Sequence, residues 1–137
     1  MIVIDASALA KYVLHEEGWT RVSWYIRHRR PLASVDHVLK EVGNAIWKRC
    51  RLHRAIDAET AARLYRGLRR LAETGVIQLR PEEHYLDRAM ELALEHGITL
   101  YDALYIALAE EEGELLTGDT RQAEAAARIG IQVHLVA

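Results

Sequence analysis

Short runs of consecutive apolar residues alternate along the chain with longer stretches in which apolar positions recur every three or four residues. Ile2-Val3-Ile4 is apolar on successive residues, which suits a strand covered on both faces. Pro31 to Val35, Val76 to Leu79, Leu115 to Thr117 and Gln132 to Val136 repeat the theme. Between them the helical period predicts helices over 8–14, 20–29, 37–51, 57–73, 82–96, 100–112 and 120–129. Gly75, Gly97, Gly113 and Gly130 stand where helix C-caps fall. Strands separated by helices imply parallel pairing through right-handed crossovers. The expected fold is therefore α/β, a three-layer sandwich with a five-stranded parallel sheet flanked by about seven helices. No linker, repeat or low-complexity segment interrupts the pattern, so residues 1–137 are expected to form one domain.

In an open parallel sheet, chemistry collects at the carboxyl ends of the strands, near the point where strand order reverses. Two acids fall there: Asp5 directly after Ile2-Val3-Ile4, and Asp119 after Leu115-Leu116-Thr117-Gly118. Either one taken alone reads equally as a loop or N-cap residue. Asp102 is harder to place as a surface residue, because the stretch LYDALYIALA is apolar all round from Leu100 to Ala109 except at this acid. The plain alternative is a capping box with Thr99, a partial fit since Glu or Gln is the usual third residue. In the helix after Asp36, itself a plausible N-cap, Val38, Leu39, Val42, Ala45, Ile46 and Cys50 form the apolar stripe. Glu41 lies on its shoulder with Asn44 three residues on, so the pair either borders the core or is solvated.

Composition narrows the classes. The formal net charge of the 137 residues is −2, so no global positive field draws the protein to a polyanion, and any such contact is local. The single cysteine, Cys50, allows no internal disulfide. Met1 leads into an apolar run without a charged leader, and no apolar segment approaches the roughly 20 residues that span a bilayer. A cytoplasmic protein, not a membrane one, is expected.

Taken in order, IDASALAKYVL, a helix with E-V-x-N, a Y-D-A helix and L-T-x-D resemble the PIN domain over nearly the whole chain, and within it the short VapC toxin type. The resemblance implies a Mg²⁺- or Mn²⁺-dependent ribonuclease built on a five-stranded parallel sheet whose first and fourth strands are neighbours. It maps the metal-binding and catalytic acids onto Asp5, Glu41, Asp102 and Asp119, with Ser7 and Thr117 as hydroxyl neighbours and Asn44 as a polar accessory. It also implies an RNA substrate, a small antitoxin protein as partner, and a homodimer. Many members carry a further acid two or three residues after the position of Asp119, whereas here Arg121 and Gln122 follow, which weakens the case for a second metal ion.

The chemistry explains the residue types. Mg²⁺ takes oxygen ligands and keeps several waters. A metal-bound water loses its proton more readily and attacks phosphorus, while the ion stabilises charge on the phosphate and leaving oxygen. Without a cation the same acids repel one another. Substrate contacts are less legible: Arg63, Arg66, Arg69 and Arg70, or Arg27, Arg29 and Arg30 beside His28, meet phosphates or are simply solvated helix faces. Trp19, Trp24, Tyr25 and Trp47 are expected in the core or a dimer contact. Seven scattered histidines lack zinc-ligand spacing.

Rival enzyme classes fail on single residues. A haloacid-dehalogenase-like phosphatase needs a second Asp where Ser7 stands, and a receiver domain needs a lysine after its last strand, whereas Lys11, Lys40 and Lys48 all lie in the first half. The surviving alternative is a non-catalytic PIN-like module that only binds a partner protein or RNA.

Overall fold

The computed structural model describes residues 1–137. In chain order the elements are β1 (Ile2–Ile4), α1 (Ala6–Leu14), α2 (Trp19–His28), β2 (Leu32–Val35), α3 (His37–Arg51), α4 (Ala58–Glu73) and β3 (Ile77–Arg80). After a 3₁₀ turn (Glu82–Tyr85) come α5 (Leu86–His96), α6 (Leu100–Glu112), β4 (Glu114–Thr117), α7 (Thr120–Ile129) and β5 (Gln132–Leu135). The five strands are all parallel, in the order β3-β2-β1-β4-β5.

That order sets the position of the site. From β1 the chain steps outward to β2 and β3, then returns to place β4 against the other side of β1, with Val3 opposite Leu115 and Ile4 opposite Leu116. The reversal therefore falls between β1 and β4, and the residues that leave both strands at their carboxyl ends stand side by side. Right-handed crossovers put α1 to α4 on one face and α5 to α7 on the other. The central strands β1 and β4 are apolar on successive residues because both their faces are covered: Ile2, Val3 and Ile4 are fully buried, as are Leu115 and Leu116, while the edge strands β3 (Ile-Gln-Leu-Arg) and β5 (Gln-Val-His-Leu) alternate and are only partly buried.

Helix α6 is the central element of its layer, packing on β1, β2 and β4. Its seven consecutive buried residues, Ala103 to Ala109, are the direct consequence of an apolar surface on every side of the helix. It stops at Gly113, whose φ of 97° and N–H bond to the Ala109 carbonyl turn the chain into β4 within one residue.

The elements differ from the sequence expectation in three places. Helix α1 begins at Ala6 and not at residue 8, because Asp5 itself is the cap and accepts the Ala8 N–H. The stretch 82–96 divides into the 3₁₀ turn and α5, and the Asp36 side chain makes no capping bond at the start of α3: its Oδ1 instead accepts the Glu82 N–H across 3.0 Å, holding that turn to the end of β2. Of the aromatic residues expected in the core or a dimer contact, Trp24 and Trp47 lie on outer helix faces, about half exposed, which removes only the core alternative. A tryptophan on the polar side of an amphipathic helix has no core to enter, and residue type alone does not reveal the side.

Candidate active site

Asp5, Glu41, Asp102 and Asp119 line a single cleft of about 260 Å³ at the carboxyl ends of β1 and β4, together with Ser7, Tyr105 and three alanines. Each acid comes from a different element. Asp5 ends β1, Glu41 stands on the second turn of α3, Asp102 on the first turn of α6, and Asp119 caps α7. No lysine or arginine is among the lining residues. No three of the acids close into a preformed ligand cage.

Asp5 is 3% exposed and held by every donor around it. Its Oδ1 accepts the Ala8 N–H at 3.0 Å and the Ser7 hydroxyl at 2.7 Å, while Oδ2 accepts the Thr117 hydroxyl. Both hydroxyls are in turn oriented by backbone: Gly118 N–H donates to Ser7 Oγ (2.8 Å) and Asp119 N–H to Thr117 Oγ1 (3.0 Å). With both hydroxyl protons directed at Asp5, the two oxygens, 3.2 Å apart, are neighbours and not partners. The result is a network that joins the ends of β1 and β4. Burial pushes the Asp5 carboxyl up to about 6, against the opposing pull of these three hydrogen bonds.

Asp102 settles its own alternative in part. Thr99 Oγ1 accepts the Asp102 N–H at 3.1 Å, so Thr99 is a true N-cap. The reciprocal bond of a capping box, from the Thr99 N–H to the Asp102 carboxylate, is absent, and the carboxylate faces the cleft. Its pKa is raised first by desolvation and then by the charges of Asp119 and Glu41. Asp119 serves two purposes: Oδ1 accepts the Arg121 and Gln122 N–H groups at 2.8 and 3.4 Å, and Oδ2 takes no bond from the chain.

Glu41 is oriented by a residue that sequence reasoning missed. The Tyr105 hydroxyl donates to Glu41 Oε1 across 2.8 Å, and burial together with that carboxylate pushes the phenol far above its usual range. The available signal was weak: a tyrosine one turn after Asp102 in an apolar helix reads as core. His37 Nε2 lies 3.3 Å from the same oxygen, but its angle makes no hydrogen bond and the nitrogen is buried without one.

The remaining expected residues fall outside this centre. Asn44 is exposed and does not line the cleft. Gln122, where some relatives of the fold would carry an acid, is buried, and its Nε2 donates to the Asp102 carbonyl at 3.1 Å, tying α7 to α6. Lys40 turns to Glu82 at 3.4 Å, and Lys11 donates to the Glu17 carbonyl at 3.3 Å, so neither ammonium neutralises the acids. None of the arginines of α2 or α4 reaches the cleft.

A doubly wound parallel sheet with four uncompensated carboxylates gathered at its switch point defines an acidic-cleft α/β domain. More particularly, the chain belongs to the PIN domain family, whose model matches residues 2–128. It is 34% identical over 131 residues to Exonuclease VapC9 of Pyrobaculum aerophilum, covering 96% of this chain and 89% of that protein. It is 33% identical over 124 residues to Ribonuclease VapC3 of the same organism, covering 90% and 92%. The crystal structure of PAE2754 from Pyrobaculum aerophilum superposes with a TM-score of 0.67 at 32% identity, covering 97% of this chain and 92% of that one.

Proposed function

We propose that this chain is a metal-dependent ribonuclease that hydrolyses RNA phosphodiester bonds and forms the toxin half of a toxin–antitoxin pair. The observation that carries the reading is the convergence of Asp5, Glu41, Asp102 and Asp119 on one cleft that contains no cationic side chain. Such a donor set fits Mg²⁺ or Mn²⁺, and its openness suits an ion held by one or two carboxylates and several waters. When bound, the ion supplies an activated water and stabilises charge on the phosphate and the departing oxygen.

The chain's own residues prepare the site. Ser7, Thr117 and the Ala8 amide hold both oxygens of Asp5 in one orientation, and Tyr105 fixes Glu41 while leaving Oε2 open. Asp119 offers Oδ2 from a carboxylate anchored by its own helix. Relatives named as an exonuclease and a ribonuclease favour catalysis over the non-catalytic module. A small antitoxin partner and a homodimer rest on the family alone, and a cytoplasmic setting on the composition; no helix is long and apolar enough to cross a membrane.

The test is RNA cleavage with Mg²⁺ or Mn²⁺, with chelator, and by Asp5→Asn and Asp119→Asn. Each variant is expected to lose more than the roughly 10- to 100-fold typical of a residue that only supports a ligand. Cleavage undiminished in chelator or by Asp119→Asn would remove the metal-site assignment. Binding of RNA or a partner without any metal-stimulated cleavage would establish the binding module instead.

A further inference from the structure

Beside the acids, α3 and α6 meet in two successive layers. In the first, Tyr105 donates to Glu41; in the second, four residues back on each helix, the rings of Tyr101 and His37 stack with centroids 4.8 Å apart and planes within 12°. The two layers are separated by one helical turn, roughly 5 Å. Tyr101 also immediately precedes Asp102, which lines the cleft.

The two rings differ in environment. His37 is buried at 9% exposure and Tyr101 is 57% exposed, so one face of the phenol lies on the imidazole and the rest is open to solvent. An exposed tyrosine on a helix is ordinarily free to change rotamer. Here the offset stack onto a buried ring holds its plane, and the hydroxyl has no hydrogen-bond partner in the chain.

We infer that Tyr101, backed by His37, is a stacking platform for an unpaired RNA base that flanks the phosphodiester in the acidic cleft. This deepens the ribonuclease reading and rests on it. The residues lining the cleft include no lysine or arginine, and the cations Lys11 and Arg121 line the adjoining groove on the Asp119 side, so an aromatic ring beside Asp102 adds a grip on RNA that is not electrostatic. Base stacking on the ring supplies that grip, and it tolerates any base because every base has a π-face. A base already stacked within a duplex is not available to the ring, so the platform selects single strands or loops.

The experiment compares wild type with Tyr101→Ala, Tyr101→Phe and Tyr101→Trp on a single-stranded RNA, on its duplex, and on a series of RNAs with one abasic nucleotide placed successively around the cleavage point. Tyr101→Ala is expected to raise KM on single-stranded RNA roughly 5- to 150-fold with kcat little changed. The two aromatic variants should keep the wild-type value. The salt dependence of binding should not change, since no phosphate contact is lost. One abasic position should reduce wild type to the level of Tyr101→Ala and leave that variant unaffected. In chelator, without turnover, wild type and not Tyr101→Ala should quench RNA that carries 2-aminopurine at the same position. An unchanged KM for Tyr101→Ala, or equal losses on intact and abasic RNA, overturns the platform. An unchanged KM with lost binding of a protein partner overturns it in favour of a protein contact. Wild type that cleaves no RNA with either metal overturns the ribonuclease reading itself, an outcome distinct from cleavage that is indifferent to Tyr101.

Discussion

Asp5 is a carboxylate in a position that penalises its charge. Burial raises its pKa from 3.8 to about 6 even though three donors favour the ionised form. Unfolded, the group ionises near 3.8, so between that pH and 6 the unfolded chain gives up a proton that the metal-free folded chain retains. Stability in chelator is therefore expected to fall as pH rises through this window, by about 3 kcal/mol from Asp5 alone. Below pH 3.8 the carboxyl is protonated in both states, and above 6 the loss is complete. Denaturant titrations of wild type and Asp5→Asn across pH 4 to 7 check this: the wild-type curve should decline relative to a flatter Asp5→Asn curve, and parallel curves would contradict it. Metal binding requires the ionised form, so apparent Mn²⁺ affinity should weaken about tenfold per unit below pH 6. At this scale Asp5, Asp102 and Asp119 stood out because carboxylates at strand ends and inside an apolar helix are out of place, whereas Glu41, on the shoulder of an amphipathic helix, joined them only through the family resemblance. Tyr105 and His37 were not, because an aromatic ring looks alike whether it fills a core or steers a carboxylate.

Helix α7 shows how one side chain serves both element and cleft. Asp119 was open to reading as cap or ligand, and the geometry makes the two compatible: one oxygen caps α7 and the other accepts no bond from the chain. Asp119→Ala should then cost about 1 kcal/mol in chelator through loss of the cap. Asp119→Asn retains a capping oxygen and removes a charge that Asp102 feels, so its chelator melting temperature should equal or exceed that of wild type. Melts of the three proteins decide it, and equal destabilisation by both substitutions would leave no role for like-charge repulsion. Element boundaries in the sequence failed where a distant group intervened. The 82–96 stretch reads as one helix, yet its first turn is drawn to Asp36, which is 46 positions away in the chain.

For the whole molecule, the cleft exists only because α1, α3, α6 and α7 bring one acid each to the ends of two neighbouring strands. The acids come from elements on both faces of the sheet, so a divalent ion held by them would stabilise the fold by mass action. At free Mn²⁺ a hundredfold above its dissociation constant the gain should be roughly 2.7 kcal/mol. Thermal melts with and without metal are expected to show this rise in wild type and much less in Asp5→Asn or Asp119→Asn. A wild type indifferent to millimolar Mg²⁺ and Mn²⁺ would leave the acids without a ligand.

By itself the sequence determined the alternation of five strands and seven helices, since buried strands and amphipathic helices impose periods that appear directly in residue type. It also made Asp5, Asp102 and Asp119 stand out, because a carboxylate at the start of a buried helix or at a strand end conflicts with its surroundings. Tertiary structure alone decided that these acids share a cleft, that Asn44 faces solvent, that Thr117 and Ser7 spend their protons on Asp5, and that Tyr101 lies flat on His37. Those facts depend on which strand returns beside β1 and on the rotation of α3 against α6. Both are set by packing between residues far apart in the chain, and no local pattern records the outcome.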